Sequence, residues 1–181
     1  MQMLPNASKP YPDRQDINIF GSLYPAKEVG GDLYDFFLRD EKLFFCIGDV
    51  SGKGIPSAMV MAVVHSLFHS ISARENNPSR IMQHLNEMSC EGNESNMFVT
   101  LFLGVLDLPT GRLRYCSAGH DHPLLVGETV TELPVKACLP IGLFTDTKYE
   151  TQEFLLPPKT TIFLYTDGLT EAKNAAHKLF G

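Results

Sequence analysis

The stretch FFCIGDVSGKGIPSAMVMAVV (residues 44–64) joins an apolar, strand-like run to a helical pattern through a glycine-rich turn. The strand-like run ends at Asp49, and the helical pattern starts after Gly54. A strand-to-helix turn brings a carboxylate and accessible backbone to one edge of a sheet, where ligands commonly bind. The stretch therefore predicts a site at Asp49 and leaves open whether a nucleotide, a metal or nothing binds there.

A nucleotide is disfavoured by the spacing of the turn. The phosphate-binding loop G-x-x-x-x-G-K-[ST] needs a hydroxyl residue after its lysine. Here only three residues separate Gly48 from Gly52, and Gly54 follows Lys53. A purely structural turn, with Asp49 capping the helix or solvated, stays open.

Composition and charge narrow the function classes. A chain of 181 residues with 44% hydrophobic and 20% charged residues is typical of one globular domain. No apolar run approaches the roughly 20 residues of a membrane helix, so we expect no direct membrane insertion. The net charge of −6 provides no basic surface for phosphates, so we expect no nucleic acid partner.

The cysteines indicate a reducing, cytoplasmic location. Cys46, Cys90, Cys116 and Cys138 are scattered and form no C-x-x-C pair. We predict four reduced thiols and no structural zinc among them.

Short aromatic and β-branched runs, separated by Gly, Pro, Asp and Asn, predict a strand-rich domain. The predicted strands are INIFGSLYPA, DLYDFFLRD, KLFFCIGDV, MFVTLFLGVLDL, RLRYCSAG, HPLLVG, YETQEFLL and TTIFLYTDG, and LDLPTGRL is predicted to join two of them in a hairpin. Residues 1–15 are proline-rich and aperiodic, which indicates a connector from an upstream region.

Two helices are predicted in the middle of this series of strands. The first spans residues 56–73, and the second starts at Asn77, a capping residue followed by proline. Their predicted core positions are Met59, Ala62, Val63, Leu67 and Ile71 in the first, and Ile81, Leu85 and Met88 in the second. Helices grouped between strands favour an α+β fold with antiparallel sheets.

Three acids lie at strand ends or beside glycine: Asp32, Asp49 and Asp167. Each alone is best explained by a turn. Three together favour a site for magnesium or manganese, since these ions prefer a few hard oxygen ligands and balance converging negative charges.

Four segments, AKEVGGDLYDFF, GDVSGKGIPSAMVMA, SAGHDHPLL and LYTDGLTEAKN, resemble in order the motifs of the SpoIIE/RsbU-type branch of the PPM (PP2C-like) metal-dependent protein serine/threonine phosphatases. The resemblance implies a PP2C-like sandwich of two antiparallel β-sheets flanked by helices, over residues 16–181. It implies hydrolysis of phosphoserine or phosphothreonine on a bacterial signalling protein such as an anti-sigma-factor antagonist. It also implies an upstream sensor domain in the parent chain.

The resemblance assigns roles to single residues. It makes Asp32 a ligand of one ion, Asp49 the bridge between two Mn²⁺ or Mg²⁺ ions, and Asp167 a ligand of the other. The backbone carbonyl of Val50 would complete one coordination sphere. Such a pair of ions activates water for in-line attack on phosphorus. Gly52 and Lys53 are candidates for contact with phosphate, and a solvated Lys53 is an equal alternative.

The sequence departs from the family pattern twice. It stops at HKLFG, before an aspartate pair that follows a further helix in the family. We therefore expect a C-terminally truncated domain lacking its last helix and strand, an incomplete second metal site, weak or absent turnover by residues 1–181, and a sheet edge that invites a homodimer. The second departure is Ser51, which stands where eukaryotic relatives carry a histidine acid and cannot protonate a leaving group at neutral pH.

Other polar residues are interpreted as structural. His120 and His122 form a His-x-His pair, but no third nitrogen or sulfur ligand lies nearby in sequence, so we expect scaffold roles. Asp35 is expected to be solvated or to neighbour the metal ligands. The alternative function is an inactive or regulatory module of the same fold that binds a partner.

Overall fold

The computed structural model describes residues 10–23, 30–174 and 177–180, which form two antiparallel sheets and three helices. In chain order the elements are β1 (Leu33–Arg39), β2 (Lys42–Val50), α1 (Ile55–Ser72), α2 (Pro78–Cys90), β3 (Val99–Asp107), β4 (Arg112–Ala118), β5 (Leu124–Val126), β6 (Val130–Glu132), β7 (Gln152–Leu155), β8 (Thr161–Phe163) and α3 (Asp167–Thr170). The predicted α+β fold with antiparallel sheets is confirmed.

The larger sheet has the strand order β1-β2-β3-β4-β7, and the smaller has the order β6-β5-β8. Strands β1 to β4 are neighbours in chain order: tight turns join β1 to β2 and β3 to β4, whereas α1 and α2 connect β2 to β3. In the second turn the Gly111 amide donates to the Asp107 carbonyl over 2.9 Å, and the Asp107 carboxylate accepts from the Thr110 hydroxyl over 2.6 Å. The hairpin predicted at LDLPTGRL is therefore confirmed.

The larger sheet buries both of its faces, so the domain has three layers. One face packs against α1 and α2 through Phe44, Phe68 and Leu85, which are fully buried. The opposite face packs against the smaller sheet, with Phe102 on β3 and Leu125 on β5 in one cluster. This alternation of side chains between two cores follows from the two-residue period of a strand.

Helix α1 confirms the predicted helix but only part of its predicted core face, since Leu67 and Ile71 pack partly buried against the core. Val64 and Phe68 are buried, whereas Met59 is 65% exposed and Val63 is 55% exposed. The helix is apolar on several faces, so its sequence period does not identify the face that packs on the sheet.

Helix α2 begins as predicted. The Asn77 side-chain oxygen accepts from the amides of Ser79 and Arg80, over 3.0 and 3.4 Å. Ile81 and Leu85 are fully buried, but Met88 is 47% exposed, so its predicted core position was wrong.

Two differences concern the strands. The predicted strand at 17–26 is not observed over 17–23, and its remainder lies outside the described residues. Strand β6, whose residues are all exposed, was not predicted. The sequence VTE is too short and polar to show a strand period.

Part of the predicted connector contacts the domain, and residues 1–9 lie outside the described residues. The Tyr11 hydroxyl accepts from the Leu38 amide over 3.2 Å, and the Tyr11 ring meets Phe36 edge-on at 6.4 Å. The assignment of 1–15 as a connector stays a prediction.

Helix α1 is long and apolar enough to cross a membrane by length and composition alone, with a mean hydropathy of 1.4 over 18 residues. The expectation that no apolar run approaches the length of a membrane helix was therefore wrong for α1. In the domain, α1 follows β2 directly and packs Val64 and Phe68 into the helix-side core.

All four cysteines are free, and Cys46 and Cys116 are buried, as predicted.

Candidate active site

Asp49 is the next-to-last residue of β2 and pairs with Thr100 on β3, at one end of the larger sheet. The turn that follows it contains Gly52 and Gly54, with φ of 91° and 82°. Side chains other than glycine rarely adopt these φ values, so the two glycines allow β2 to turn sharply into α1. The Ser51 hydroxyl accepts from the Phe98 amide over 2.9 Å, which anchors the turn to the segment before β3.

Asp32 reaches the same end of the sheet because the chain passes very close to Asp49 just before β1. The Val50 amide donates to the Gly31 carbonyl over 3.3 Å. A Cβ atom at Gly31 would lie 2.8 Å from the Val50 carbonyl oxygen and 3.3 Å from Asp49 Oδ1. Only glycine permits this approach, and it sets Asp32 beside Asp49.

Asp167 comes to the site from a distant part of the chain. It is the first residue of α3, just after β8, and it is exposed. The side chain of the preceding residue, Thr166, lies close enough to Asp32 to lower the pKa of that carboxyl. The segment between β8 and α3 is thereby linked to the start of β1.

The three carboxylates act on one another electrostatically. Burial, followed by the charges of Asp32 and Asp167, raises the pKa of Asp49 to about 6. Burial also raises the pKa of Asp32, the nearby Thr166 side chain lowers it, and the charge of Asp167 raises it further. Asp32 and Asp49, whose pKa values are raised, and the nearby Asp167 thus form a cluster of negative charge that a bound cation would balance.

The donor set fits divalent ions that prefer oxygen. Asp32 Oδ1 is buried and has no hydrogen-bond partner among the described residues. Burying an oxygen without a partner is unfavourable, and a coordinated cation would remove that cost. Asp32, Asp49 and Asp167 supply only hard oxygen ligands, as Mn²⁺ and Mg²⁺ prefer.

A small pocket opens between two of the acids. Its lining residues are Asp49, Thr100, Gly119, His120, Asp121 and Asp167. Its position at the end of β2 and the start of α3 gives a ligand direct access to Asp49 and Asp167. The pocket is thus the entrance to the acid cluster.

His120 connects the walls of this pocket, a role that the sequence did not reveal. Its side chain is nearly buried, with Nδ1 at 3.1 Å from Thr100 Oγ1 and Nε2 at 3.1 Å from the Tyr165 carbonyl oxygen. A carbonyl only accepts, so Nε2 donates to Tyr165; Nδ1 of the neutral ring then accepts from the Thr100 hydroxyl, which lies farther from the Asp49 carbonyl oxygen, at 3.4 Å. Burial lowers the pKa of His120, which agrees with a neutral ring.

His122 does not join His120. Its Nδ1 lies 3.5 Å from Glu132 Oε2 on β6, in an exposed position. Because both nitrogens of His120 are occupied by Thr100 and Tyr165, the His-x-His pair has the geometry of a scaffold rather than that of a metal site.

The remaining candidates lie close to Asp49 in sequence. Val50 is buried, and its carbonyl oxygen faces Gly31, beside Asp32. Gly52 and Lys53 are exposed on the turn and are not part of the pocket lining among the described residues.

Asp35 differs most from expectation. It is only 3% exposed and lies beside His65 and His69 of α1, so the prediction that it is solvated was wrong. The period of β1 sends Asp35 to the helix-side face of the sheet, where sequence alone did not place the two histidines.

Comparison with known proteins agrees with the motif resemblance. The family model described as Stage II sporulation protein E (SpoIIE) matches residues 39–181. The chain is 30% identical to protein IcfG of Synechocystis, over 94% of this chain and 31% of that protein. It is 29% identical to phosphoserine phosphatase RsbU of Bacillus subtilis, over 90% of this chain and 49% of that protein. The chain therefore spans between about a third and a half of these relatives.

Two solved structures have the same fold. The RsbU and RsbW domains of Rv1364c from Mycobacterium tuberculosis superpose with a TM-score of 0.73 and 28% identity, covering 83% of this chain and 42% of that one. The SiaA PP2C domain of Pseudomonas aeruginosa gives a TM-score of 0.70 and 26% identity, covering 84% of this chain and 62% of that one. With its family match, its sandwich and its strand-end acids, the chain belongs to the SpoIIE family, in the SpoIIE/RsbU branch of the PPM phosphatases.

Proposed function

We propose that this domain hydrolyses phosphoserine or phosphothreonine on a bacterial signalling protein in a reaction that depends on Mn²⁺ or Mg²⁺. The observation that carries the proposal is the convergence of Asp32, Asp49 and Asp167 into one electrostatic cluster in a SpoIIE-family chain. The names of two relatives, phosphoserine phosphatases RsbU and RsbP, support the reaction class.

Asp49 has the central role in this proposal. It responds to the charges of both Asp32 and Asp167, so it is the carboxylate suited to bridge two ions. Asp32 and the Val50 carbonyl would hold one ion, and Asp167 would hold the other. When bound, the ions supply Lewis acidity that activates water and stabilises charge on phosphoryl oxygens. The structure of RsbX, a protein of the same fold, is described as a magnesium complex.

The rest of the site positions these groups. His120 holds the segment before Asp167 against β3, and Ser51 anchors the turn after Asp49. Because the Ser51 hydroxyl accepts a hydrogen bond from the Phe98 amide, Ser51 is a structural residue of the turn. Lys53, exposed on that turn, would attract a phosphate dianion as a point charge, with the Gly52 amide nearby.

The proposed substrate is a phosphorylated partner such as an anti-sigma-factor antagonist, and the domain would receive its signal from an upstream sensor. Support comes from RsbU and from a structural relative that combines an RsbU domain with an RsbW domain. A cytoplasmic location and a homodimer stay predictions.

The test is phosphate release from a phosphoserine peptide as Mn²⁺ is titrated, with metal binding followed by calorimetry. We compare residues 1–181 with a longer version of the protein, extended beyond Gly181. We expect Asp49→Asn to abolish turnover and weaken Mn²⁺ binding. Asp146→Asn, an exposed aspartate outside the pocket, is the matched control.

Two results would overturn the proposal. One is phosphate release that persists in chelator. The other is the absence of phosphate release from the extended protein when it is folded and loaded with metal. In that case, metal-independent binding of a dephosphorylated partner would identify the domain as a binding module.

A further inference from the structure

A second group of potential ligands lies apart from the acid cluster, where β1 packs on α1. Its members are Asp35 on β1 and His65 and His69 on α1. Nε2 of His65 lies 3.3 Å from Asp35 Oδ2, and Nε2 of His69 lies 2.5 Å from the same atom. Among the described residues, this is the group of three whose ligand atoms all lie within 4.8 Å of one another.

The Asp35 carboxylate is held in an apolar environment. It is 97% buried on the side of the sheet that carries Phe37 and Phe44, which stack on each other at 5.1 Å. Its Oδ1 accepts from the Phe36 amide over 2.8 Å, which fixes the orientation of the carboxylate. A carboxylate so far from water needs a compensating positive charge.

The other oxygen, Oδ2, has no hydrogen bond. It is buried and unpartnered, even though two imidazole nitrogens approach it, because neither approach has the alignment of a hydrogen bond. Two nitrogens and one oxygen therefore converge on a buried oxygen lone pair that a cation could occupy, once the half-exposed His69 ring has shifted slightly away from Asp35 Oδ2.

The two histidines are placed for joint ligation. They are four residues apart on α1, so they share one helix face. The His69 ring stacks on Phe37 at a centroid distance of 4.7 Å, which fixes the plane of the ring. The His69 side chain is 46% exposed, so the site has an opening to solvent through which an ion and a water ligand can enter.

We propose that Asp35 Oδ2, His65 Nε2 and His69 Nε2 bind a divalent transition ion of the zinc class, with water at a fourth position. Zinc commonly takes two imidazoles and one carboxylate, whereas Mn²⁺ and Mg²⁺ favour oxygen donors. The domain would thus carry two chemically distinct metal centres. The bound ion joins β1, which follows Asp32, to α1, which follows the turn after Asp49.

The test uses zinc itself as the probe. The Asp49→Asn protein, in which the acid cluster is impaired, is stripped with chelator and dialysed against Zn²⁺. Bound zinc is measured by mass spectrometry and its affinity by competition with a chromophoric chelator. Co²⁺ substitution then reports the ligands, because nitrogen ligation in a four-coordinate site gives visible absorption bands.

We expect one equivalent of zinc per chain and a higher melting temperature when zinc is present. His69→Gln changes an exposed side chain and is expected to fold, yet to weaken zinc binding by at least about tenfold and to abolish the thermal shift. His65→Gln should act in the same direction. His84→Gln, on the exposed side of α2, is the matched control and should bind zinc normally.

The proposal is overturned if folded Asp49→Asn protein binds no zinc, since the three residues would then be an ion-pair cluster that needs no metal. It is also overturned if His69→Gln binds zinc as tightly as its parent. Neither result bears on phosphatase activity, so this inference and the proposed function fail separately.

Discussion

His120 Nε2 lies 3.1 Å from the main-chain oxygen of Tyr165, and this contact joins the end of β4 to the segment that carries Asp167. The other ring nitrogen meets Thr100, the partner of Asp49 across the sheet. One neutral, nearly buried imidazole therefore connects the two walls of the acid pocket.

Replacement of His120 by alanine should loosen this connection. We expect an unfolding free energy lower by about 1–3 kcal/mol, because two partly buried hydrogen-bonding groups lose their partner. We also expect weaker Mn²⁺ binding, since Asp167 is no longer held near Asp49. Urea unfolding and calorimetric titration measure the two effects. His122→Ala, an exposed control, should change stability by less than about 0.5 kcal/mol. If the His120→Ala protein is less stable but binds Mn²⁺ with unchanged affinity, His120 contributes to stability only and does not position Asp167 for metal binding.

Replacement of Gly31 by alanine tests the close approach beside Asp49. The added methyl would lie 2.8 Å from the Val50 carbonyl oxygen, so the two segments must separate. We expect a loss of about 1–3 kcal/mol in unfolding free energy, as for overpacking, together with reduced Mn²⁺ affinity. At the control position, Gly127, the nearest atom to an added methyl is Thr160 Oγ1 at 3.9 Å, so Gly127→Ala should be nearly neutral. Equal effects of the two substitutions would show that the contact at Gly31 does not matter.

The raised pKa of Asp49 predicts how the stability of the metal-free protein depends on pH. In the folded state this pKa is about 6, above its ordinary value of 3.8, so folding disfavours the charged form. The stability difference between wild type and Asp49→Asn should therefore favour wild type most below pH 3.8. It should decline as pH rises through about 6 and then level off. Denaturant unfolding of both proteins in the presence of chelator measures this difference in unfolding free energy. Because His120 is present in both proteins, its contribution cancels in the difference. A difference that is flat over this range would contradict the prediction.

The start of α2 predicts a stability effect away from the site. The Asn77 side-chain oxygen caps the helix and also accepts from the Thr151 hydroxyl over 2.7 Å. Asn77→Ala should lower the unfolding free energy by about 1 kcal/mol or more, because the cap and the link to the segment before β7 are both lost. Thermal and urea unfolding measure the effect. Asn76→Ala, at the exposed neighbouring position, should be nearly neutral. A similar loss in both variants would rule out a specific cap.

Much of the fold could be predicted because its elements are marked by local patterns. Seven of the eight predicted strands lie on observed strands, and the Asn-Pro pair marks the start of α2. Prediction failed where the local signal was absent or ambiguous. Helix α1 is apolar on several faces, so the exposure of Met59 could not be deduced from its period, and β6 is too polar to show one.

The sequence by itself determined the α+β character, the family motifs and which acids to suspect, since residue type and short spacing carry that information. Only the tertiary structure decided which side chains meet. The register of β2 on β3 and the return of the chain after β8 bring Asp167 to Asp49. The packing of α1 on β1 brings His65 and His69 to a buried Asp35. The proximity of these side chains depends on sheet register and helix packing over tens of residues, and no local pattern in the sequence encodes it.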